Sequence, residues 1–176
     1  LENVQKLVNL CNDLVFDFCV ITGDIIDTKV KFIKKQLQIL NSLKSKVYYI
    51  SGNHDLFYGL EDLKNELSNF IFMDNSCKEF IYKNETIFLA GLPDRFSKFF
   101  GIKREEQKIK NYLLNEPSIF ISHQPKDYKI ALDGNTNLFL CGHTHGGQIY
   151  PFHYFVRLVQ PFLAGIFYKK NTAIYV

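Results

Sequence analysis

The chain has 176 residues, of which 47% are apolar and 22% are charged. This length and balance are typical of one globular domain with its own core. The net charge of +3 is too small to indicate a nucleic-acid-binding protein by itself, and no run of about 18 apolar residues predicts a transmembrane helix.

The first part of the chain alternates between helical and strand-like patterns. Apolar residues at helical spacing predict an opening helix over about residues 2–15, and two more amphipathic helices follow, over 30–40 and 60–70. Between them lie two short apolar runs that predict strands, at 18–22 and 47–50.

The second part contains more strands. Apolar segments on either side of Lys83-Asn84-Glu85 predict a hairpin, and a charged helix is expected over about 103–115. Two further strands are expected at 119–121 and 138–141, and a second hairpin near Lys170-Asn171. Strands that alternate with helices indicate an α/β domain, and one domain is expected over residues 1–176.

Four of the predicted strands end in a polar cluster marked by Gly or Pro. In open α/β sheets, ligands bind outside the carboxyl ends of the strands, so these clusters are expected to converge at one rim. They contain four of the five histidines, joined by Asp24, Asp27 and Asn53. The four histidines are His54, His123, His143 and His145.

This set of side chains is typical of a metal site. Imidazole and oxygen ligands without thiolates suit manganese, iron or zinc. Two cations about 3.5–4 Å apart can hold a phosphoryl group and activate a water. Three glycines, Gly23, Gly52 and Gly142, each precede a candidate ligand, where a tight turn is expected.

The order of these motifs resembles the signature of the calcineurin-like metallophosphoesterases. The matching segments are Gly23-Asp24-Ile25-Ile26-Asp27, Gly52-Asn53-His54-Asp55, the single His123, and Gly142-His143-Thr144-His145. The continuation to Ile149 and Pro151-Phe152 resembles more narrowly the bacterial membrane-associated branch. The resemblance implies a four-layer α-β-β-α sandwich, truncated here at both ends.

The resemblance also implies a role for each residue of the motifs. Asp24 is expected to bridge two divalent cations, Asn53, His123 and His143 to complete the second cation's ligands, and His145 to bind the first. His54 is expected to lie over the substrate as a catalytic residue, with Asp27 orienting it through a hydrogen bond. For Asp55, a helix cap and a supporting role are both open.

One part of the family signature is absent from the sequence. The Asp-x-His motif, which binds the first cation, does not occur in this chain. A piece of a longer protein that begins after this motif is the expected explanation, and natural loss of the motif is the alternative. With only Asp24 and His145 left for the first cation, the chain is expected to bind one cation firmly and the second weakly.

The expected activity is metal-dependent hydrolysis of a phosphate ester by a bridging hydroxide. The substrate can be a phosphomonoester, a phosphodiester or a lipid-linked pyrophosphate, and no nucleic acid is expected as a partner. A nuclease with the same metal core and a non-catalytic metal-binding or interaction domain are the alternatives. The intact protein is expected to be membrane-associated through segments outside this chain, which is itself expected to be soluble.

Three features outside the motifs each allow two interpretations. The aromatic stretch 152–163 can pack over the site or lie on a membrane surface, and packing is favoured. His153 within it is expected to be structural. Arg95 is expected to form an ion pair rather than to contact a substrate phosphate.

Overall fold

The structure is a computed structural model that describes residues 2–147, 156 and 158–176. Its helices are α1 (Glu2–Asp13), α2 (Lys34–Leu40), α3 (Asn53–Tyr58), α4 (Leu60–Glu66), α5 (Glu106–Leu113) and α6 (Tyr128–Asp133). Its strands are β1 (Phe18–Ile21), β2 (Lys46–Tyr49), β3 (Phe70–Phe72), β4 (Ser76–Tyr82), β5 (Glu85–Leu92), β6 (Ser118–Ser122), β7 (Leu138–Leu140), β8 (Ile166–Lys169) and β9 (Thr172–Tyr175). Short 3-10 turns include Arg95–Phe100 and His145–Gly147.

The strands form two sheets. The first contains β1, β2 and β3 in that order, all parallel. The second has the order β4-β5-β6-β7-β9-β8, in which β5, β6, β7 and β9 are parallel. Each outer strand is the antiparallel hairpin partner of its neighbour, β4 of β5 and β8 of β9. The carboxyl ends of β1, β2, β6 and β7 therefore carry the loops that hold the predicted motifs.

Both predicted hairpins are confirmed. In the first, Tyr82 pairs with Glu85 across a two-residue turn, and both turn residues, Lys83 and Asn84, have positive φ of 50° and 67°. Such a turn matches the right-handed twist of the strands that it joins. In the second, Lys169 pairs with Thr172 across Lys170-Asn171.

Three buried clusters define four layers. One lies between the sheets, where Tyr48 of β2 and the following Ile50 pack against Leu89 of β5 and Ile121 of β6. A second cluster packs α2 and α4 on the outer face of the three-stranded sheet, and a third packs α5 and α6 on the outer face of the six-stranded sheet. The fold is therefore an α-β-β-α arrangement, and the predicted fold class is confirmed.

Local differences from the sequence predictions have simple causes. The helix expected over 60–70 ends at Glu66 and Phe70 begins β3, although Leu67 and Phe70 are both buried in the same cluster, which is why the sequence pattern assigns their apolar character to one helix face. Of the predicted apolar face of α1, only Val8 is buried, because α1 packs on α2 and this contact leaves Leu7, Leu14 and Val15 exposed. In the described part of the chain, no helix is both long and apolar enough to cross a membrane.

Candidate metal centre

Four side chains meet at the carboxyl ends of four strands, two from each sheet. Asp24 follows β1, Asn53 follows β2, His123 follows β6, and His143 follows β7. The His123 Nε2 atom lies 3.1 Å from Asp24 Oδ2, 3.1 Å from His143 Nδ1 and 3.2 Å from Asn53 Oδ1. The convergence expected from the strand-end clusters is thus present in the fold.

The spacing of these atoms fits a divalent cation. Ligand atoms about 2.1 Å from one cation in an octahedral shell lie about 3 Å from their neighbours. Asp24, His123 and His143 offer ligand atoms that all lie within 4.8 Å of one another. Two imidazole nitrogens, a carboxylate and an amide oxygen, without a thiolate, suit manganese, iron or zinc.

The backbone fixes which nitrogen of His123 faces this cluster. His123 Nδ1 lies 2.6 Å from the carbonyl oxygen of Thr22. A carbonyl can only accept a hydrogen bond, so Nδ1 donates, and whenever the ring is neutral its Nε2 lone pair faces the cluster. This arrangement is typical of a metal-binding histidine, whose other nitrogen is held by a carbonyl or carboxylate.

Burial and the neighbouring groups shift the pKa values of the ionisable side chains in the cluster. Burial opposes the charge of His123, but the hydrogen bond and charge of Asp24 outweigh it and raise the pKa of His123. Burial also opposes the charge of Asp24, yet the hydrogen bond from His123 lowers the pKa of that carboxyl group. Burial lowers the pKa of His143 to about 4, with the neighbouring His123 acting in the same direction. His143 is therefore neutral at pH 7, as a ligand must be.

Three of the ligand candidates have a backbone conformation that L-residues rarely adopt. The φ angles are 56° at Asp24, 72° at His143 and 49° at His145. Such strain persists only where the surrounding structure enforces it, and it concentrates at functional sites.

The positions before the candidate ligands require glycine for two different physical reasons. Gly23 has a φ of +96°, so the expected tight turn is present there. Gly52 and Gly142 are needed for space, because a Cβ on Gly52 would overlap the Asp24 carboxylate and one on Gly142 would lie 2.9 Å from Thr22 Oγ1. Close approach of two loops, rather than turn geometry, explains these two positions.

Asp55 links the two loops that carry Asp24 and Asn53. Its fully buried carboxylate accepts hydrogen bonds from the backbone N–H groups of Gly52 at 2.7 Å and Asp24 at 2.8 Å. It also accepts from Ile25 at 3.0 Å and Ile26 at 3.3 Å. Gly52 is the N-cap of α3 and Asp55 is the third residue of the helix, so the interpretation of Asp55 as the N-cap is wrong. Its carboxylate ties the helix start to the loop that carries Asp24, which is the supporting role that the sequence left open.

A pocket of about 380 Å³ lies in front of the cluster and contains the other predicted residues. Asp24, Asn53, His54, His143 and His145 all line it. The backbone N–H of His54 donates to Asp24 Oδ1 at 2.9 Å, which fixes the start of α3 against the cluster. His145 is exposed at the pocket wall and lies outside the group formed by Asp24, His123 and His143.

Asp27 is the predicted residue that the fold does not bring to its expected partner. Its side chain is exposed, and within the residues that the structure describes no hydrogen bond joins it to His54. The ring of His54 lies beside the ring of Tyr58, with their centroids 6.0 Å apart. The orienting role of Asp27 stays a prediction.

The pocket also contains residues of the stretch 152–163, for which the sequence favours packing over the site. Val156, Val159 and Gln160 line it, which agrees with that interpretation for this part of the stretch. Thr144 Oγ1 donates to the carbonyl of Leu163 and so ties the stretch to the motif. The sequence does not indicate which residues of the stretch reach the pocket, since the contact joins distant parts of the chain. Residues 148–155, with His153, and residue 157 lie outside the described residues.

Arg95 forms the predicted ion pair. Its Nε donates to Asp127 Oδ1 at 2.9 Å, and Arg104 donates to the same oxygen at 2.9 Å. Asp127 is fully buried. The two arginines compensate its charge and hold the turn Arg95–Phe100 to the start of α6.

Comparison with known proteins places the chain in a family. The family model of the calcineurin-like phosphoesterases matches residues 1–147. The chain therefore belongs to the calcineurin-like phosphoesterase family, a class of metal-dependent enzymes that hydrolyse phosphoric esters. The family predicted from the four motifs is thereby confirmed.

Individual relatives agree. A metallophosphoesterase of Helicobacter pylori (strain ATCC 700392 / 26695) is 32% identical over 98% of this chain and 48% of its own length. A transmembrane protein with metallophosphoesterase domain from Danio rerio is 30% identical over 99% of this chain and 44% of its own length. The chain thus spans about half the length of the curated relatives that it matches.

A solved structure shows the same fold. The NAD nucleotidase of Haemophilus influenzae superposes with a TM-score of 0.66 at 16% identity, over 98% of this chain and 42% of that one. At this level of identity the similarity concerns the fold alone.

Proposed function

We propose that the protein hydrolyses phosphate esters with two divalent cations held in the pocket between the strand ends. The observation that carries this proposal is the convergence of four ligand atoms, from Asp24, Asn53, His123 and His143, with three separations of 3.1–3.2 Å around His123 Nε2. Family membership supports the reaction class.

Each residue has a proposed task. Asn53, His123 and His143 hold one cation, Asp24 is shared by both cations, and His145 on the pocket wall contributes to the other. When bound, the cations supply Lewis-acid stabilisation of a phosphoryl group and lower the pKa of a water molecule. His54 lines the same pocket, and its proposed task is to donate a proton to the leaving oxygen.

The number of firmly bound cations is proposed to be one for this chain. One cation has four proposed ligands, from Asp24, Asn53, His123 and His143. The other cation has only Asp24, which it shares, and the exposed His145. Fewer protein ligands mean weaker binding, because more of the coordination shell must come from water.

The test is elemental analysis of the purified chain after manganese loading and desalting. About one manganese per chain is expected, and His123→Gln is expected to abolish it, whereas the control Asp17→Asn, at an exposed position, is not. A value near two would show that other residues complete the shell of the cation that Asp24 and His145 are proposed to bind. A value near zero would contradict the proposed ligand set.

Activity is tested on the same samples with bis-p-nitrophenyl phosphate and p-nitrophenyl phosphate. Hydrolysis that depends on added manganese and is lost in His123→Gln is the expected result. The ratio of the two rates then separates a phosphodiesterase from a phosphomonoesterase. Equal activity of wild type and His123→Gln would overturn the proposal.

The intact protein is proposed to act at a membrane, on a substrate that can be lipid-linked. Relatives from Danio rerio and Bos taurus are named as transmembrane proteins with this domain, at 30% and 29% identity. Fractionation of cells that produce the natural protein tests this proposal, and recovery in the supernatant without detergent would contradict it.

A further inference from the structure

A cluster of exposed phenylalanines lies beside the pocket. We define the phenylalanine patch as Phe57 of α3 together with Phe96, Phe99 and Phe100 of the turn Arg95–Phe100. Ring centroids are 5.9 Å apart for Phe57 and Phe96, 5.3 Å for Phe57 and Phe100, and 5.9 Å for Phe96 and Phe99. All four side chains are exposed, with Phe57 at 59% and Phe99 at 72%.

Contact between exposed rings does not remove them from water. Single exposed apolar residues are ordinary on protein surfaces, but contiguous apolar patches mark interaction sites. Four phenylalanines from two packed elements form such a patch, and the chain does not use them in the buried clusters that define its layers.

The patch is held rigidly. Asp94 Oδ1 accepts a hydrogen bond from the backbone N–H of Phe96 at 2.7 Å, and Arg95 pairs with the buried Asp127. Ser97, fully buried, donates to the carbonyl of Ile102 at 3.1 Å. The turn therefore presents its rings on a fixed base.

The charges exposed by these two elements have one sign. The turn carries Arg95 and Lys98, both exposed, and the Lys98 amine lies 5.0 Å from the centre of the Phe99 ring. The carboxylate of α3, Asp55, is fully buried. A second copy of the chain would meet the patch with like charges in a symmetric contact. An anionic partner with an apolar interior satisfies both features.

We infer that the phenylalanine patch docks the protein onto an anionic lipid bilayer, with the rings entering the acyl boundary and Lys98 meeting the headgroups. Aromatic and basic side chains on one face are the combination that binds a membrane surface without spanning it.

The patch lies close to the site. Phe57 is three residues after His54 in α3, which places the two side chains about one helical turn apart. A protein docked by the patch would hold its pocket beside the lipid surface. Docking can be measured without hydrolysis, so it stands or falls independently of the proposed reaction.

The test is co-sedimentation with vesicles, using the 176-residue chain. Vesicles of phosphatidylcholine and phosphatidylglycerol in equal amounts are compared with vesicles of phosphatidylcholine alone. We expect binding to the anionic vesicles that weakens with salt, and at least a fivefold loss of bound protein in the double variant Phe57→Ser, Phe99→Ser. Both positions are exposed, so the variant is expected to fold, and circular dichroism checks this.

The chain offers a matched control. Phe32 is 68% exposed, and the Lys31 amine lies 4.9 Å from its ring centre, so it reproduces the chemistry of Phe99 and Lys98 at one isolated position. Phe32→Ser is expected to bind as wild type does. Lys98→Gln is expected to weaken binding to anionic vesicles, and Lys31→Gln is not.

Several outcomes overturn the inference. They are absence of wild-type binding, undiminished binding by the double variant, and an equal loss in Phe32→Ser. Light scattering supplies a further one, since a wild-type dimer that the double variant dissociates would make the patch a contact between copies of the chain.

Discussion

The carboxylate of Asp55 accepts a hydrogen bond from the backbone N–H of Asp24 at 2.8 Å, across 31 residues of sequence. The bond joins the start of α3 to the loop after β1, and thereby joins the two loops that carry Asn53 and Asp24. Because Asp24 has a φ of 56°, the loop needs such support to keep its carboxylate aimed at the cluster.

Replacing this carboxylate is expected to weaken both the fold and the site. In Asp55→Asn, one of the two oxygens becomes an amide that cannot accept from the surrounding N–H groups. Hydrogen bonds to a charged group contribute about 1.5–3 kcal/mol, so we expect the free energy of unfolding to fall by about 2–3 kcal/mol. Urea unfolding of the metal-free protein measures this.

The exposed Asp17 supplies the control for that experiment, since Asp17→Asn is expected to unfold as wild type does. Manganese binding by Asp55→Asn is expected to weaken in addition, because the Asp24 loop loses its tie. Unchanged stability together with unchanged manganese binding would show that the four N–H groups do not depend on the charge of Asp55.

Gly52 is expected to tolerate no side chain. A Cβ there would overlap Asp24 Oδ1 and the Asp24 backbone nitrogen, so Gly52→Ala must displace the carboxylate that both cations are proposed to share. We expect manganese binding to fall by at least about tenfold, the lower end of the range seen when a residue that positions a metal ligand is changed.

Gly101→Ala is the matched control. Gly101 has a φ of +73°, but nothing lies within 4 Å of an added Cβ. The variant is expected to lose about 1–2 kcal/mol from backbone strain while it keeps its manganese. Equal manganese binding by Gly52→Ala and Gly101→Ala would mean that the loops can separate without loss of the site.

The sequence was sufficient for the cluster but not for its surroundings. That Asp24, Asn53, His123 and His143 lie at strand ends could be predicted because each follows an apolar strand, and the family resemblance implied that they form one ligand set. Both hairpins could be predicted as well, because their turn residues carry a local signal. The facing of two separate sheets, one with β1 and β2 and the other with β6 and β7, has no local pattern in the sequence.

What could not be predicted depends on contacts between distant segments. The sequence favours packing of the stretch 152–163 over the site, but no local pattern shows that Val159 and Gln160 are the residues that line the pocket. The exposed position of the Asp27 side chain, away from His54, also has no local pattern. The phenylalanine patch likewise arises because α3 packs against a turn about forty residues further along, and periodicity within either element does not show it.

His54 is expected to act on the leaving group rather than on the metal. His54→Ala should keep its manganese, since its ring belongs to the pocket wall and not to the group of Asp24, His123 and His143. Loss of a general acid lowers kcat by about 10²–10⁴. The loss should be smaller for a p-nitrophenyl ester than for a phenyl ester, because p-nitrophenolate leaves readily without a proton.

Elemental analysis and kinetics with the two esters separate the possible results. Loss of manganese in His54→Ala would make the residue a ligand. An equal loss of kcat on both esters, with manganese retained, would assign it to stabilising charge on the phosphoryl group instead of proton donation.

Cys141 is expected to react slowly with thiol reagents. It is buried directly before Gly142-His143, and burial raises the pKa of its thiol well above the ordinary value. The thiolate is the reactive form, so a raised pKa leaves little of it at pH 8.5 and the rate stays low as the pH rises. Titration with a disulfide reagent is expected to show a slow fraction that becomes fast in urea, and Cys141→Ser should remove that fraction. If Cys141→Ser left the slow fraction in place, the strand end that carries the metal motif would be more open to solvent than its packing indicates.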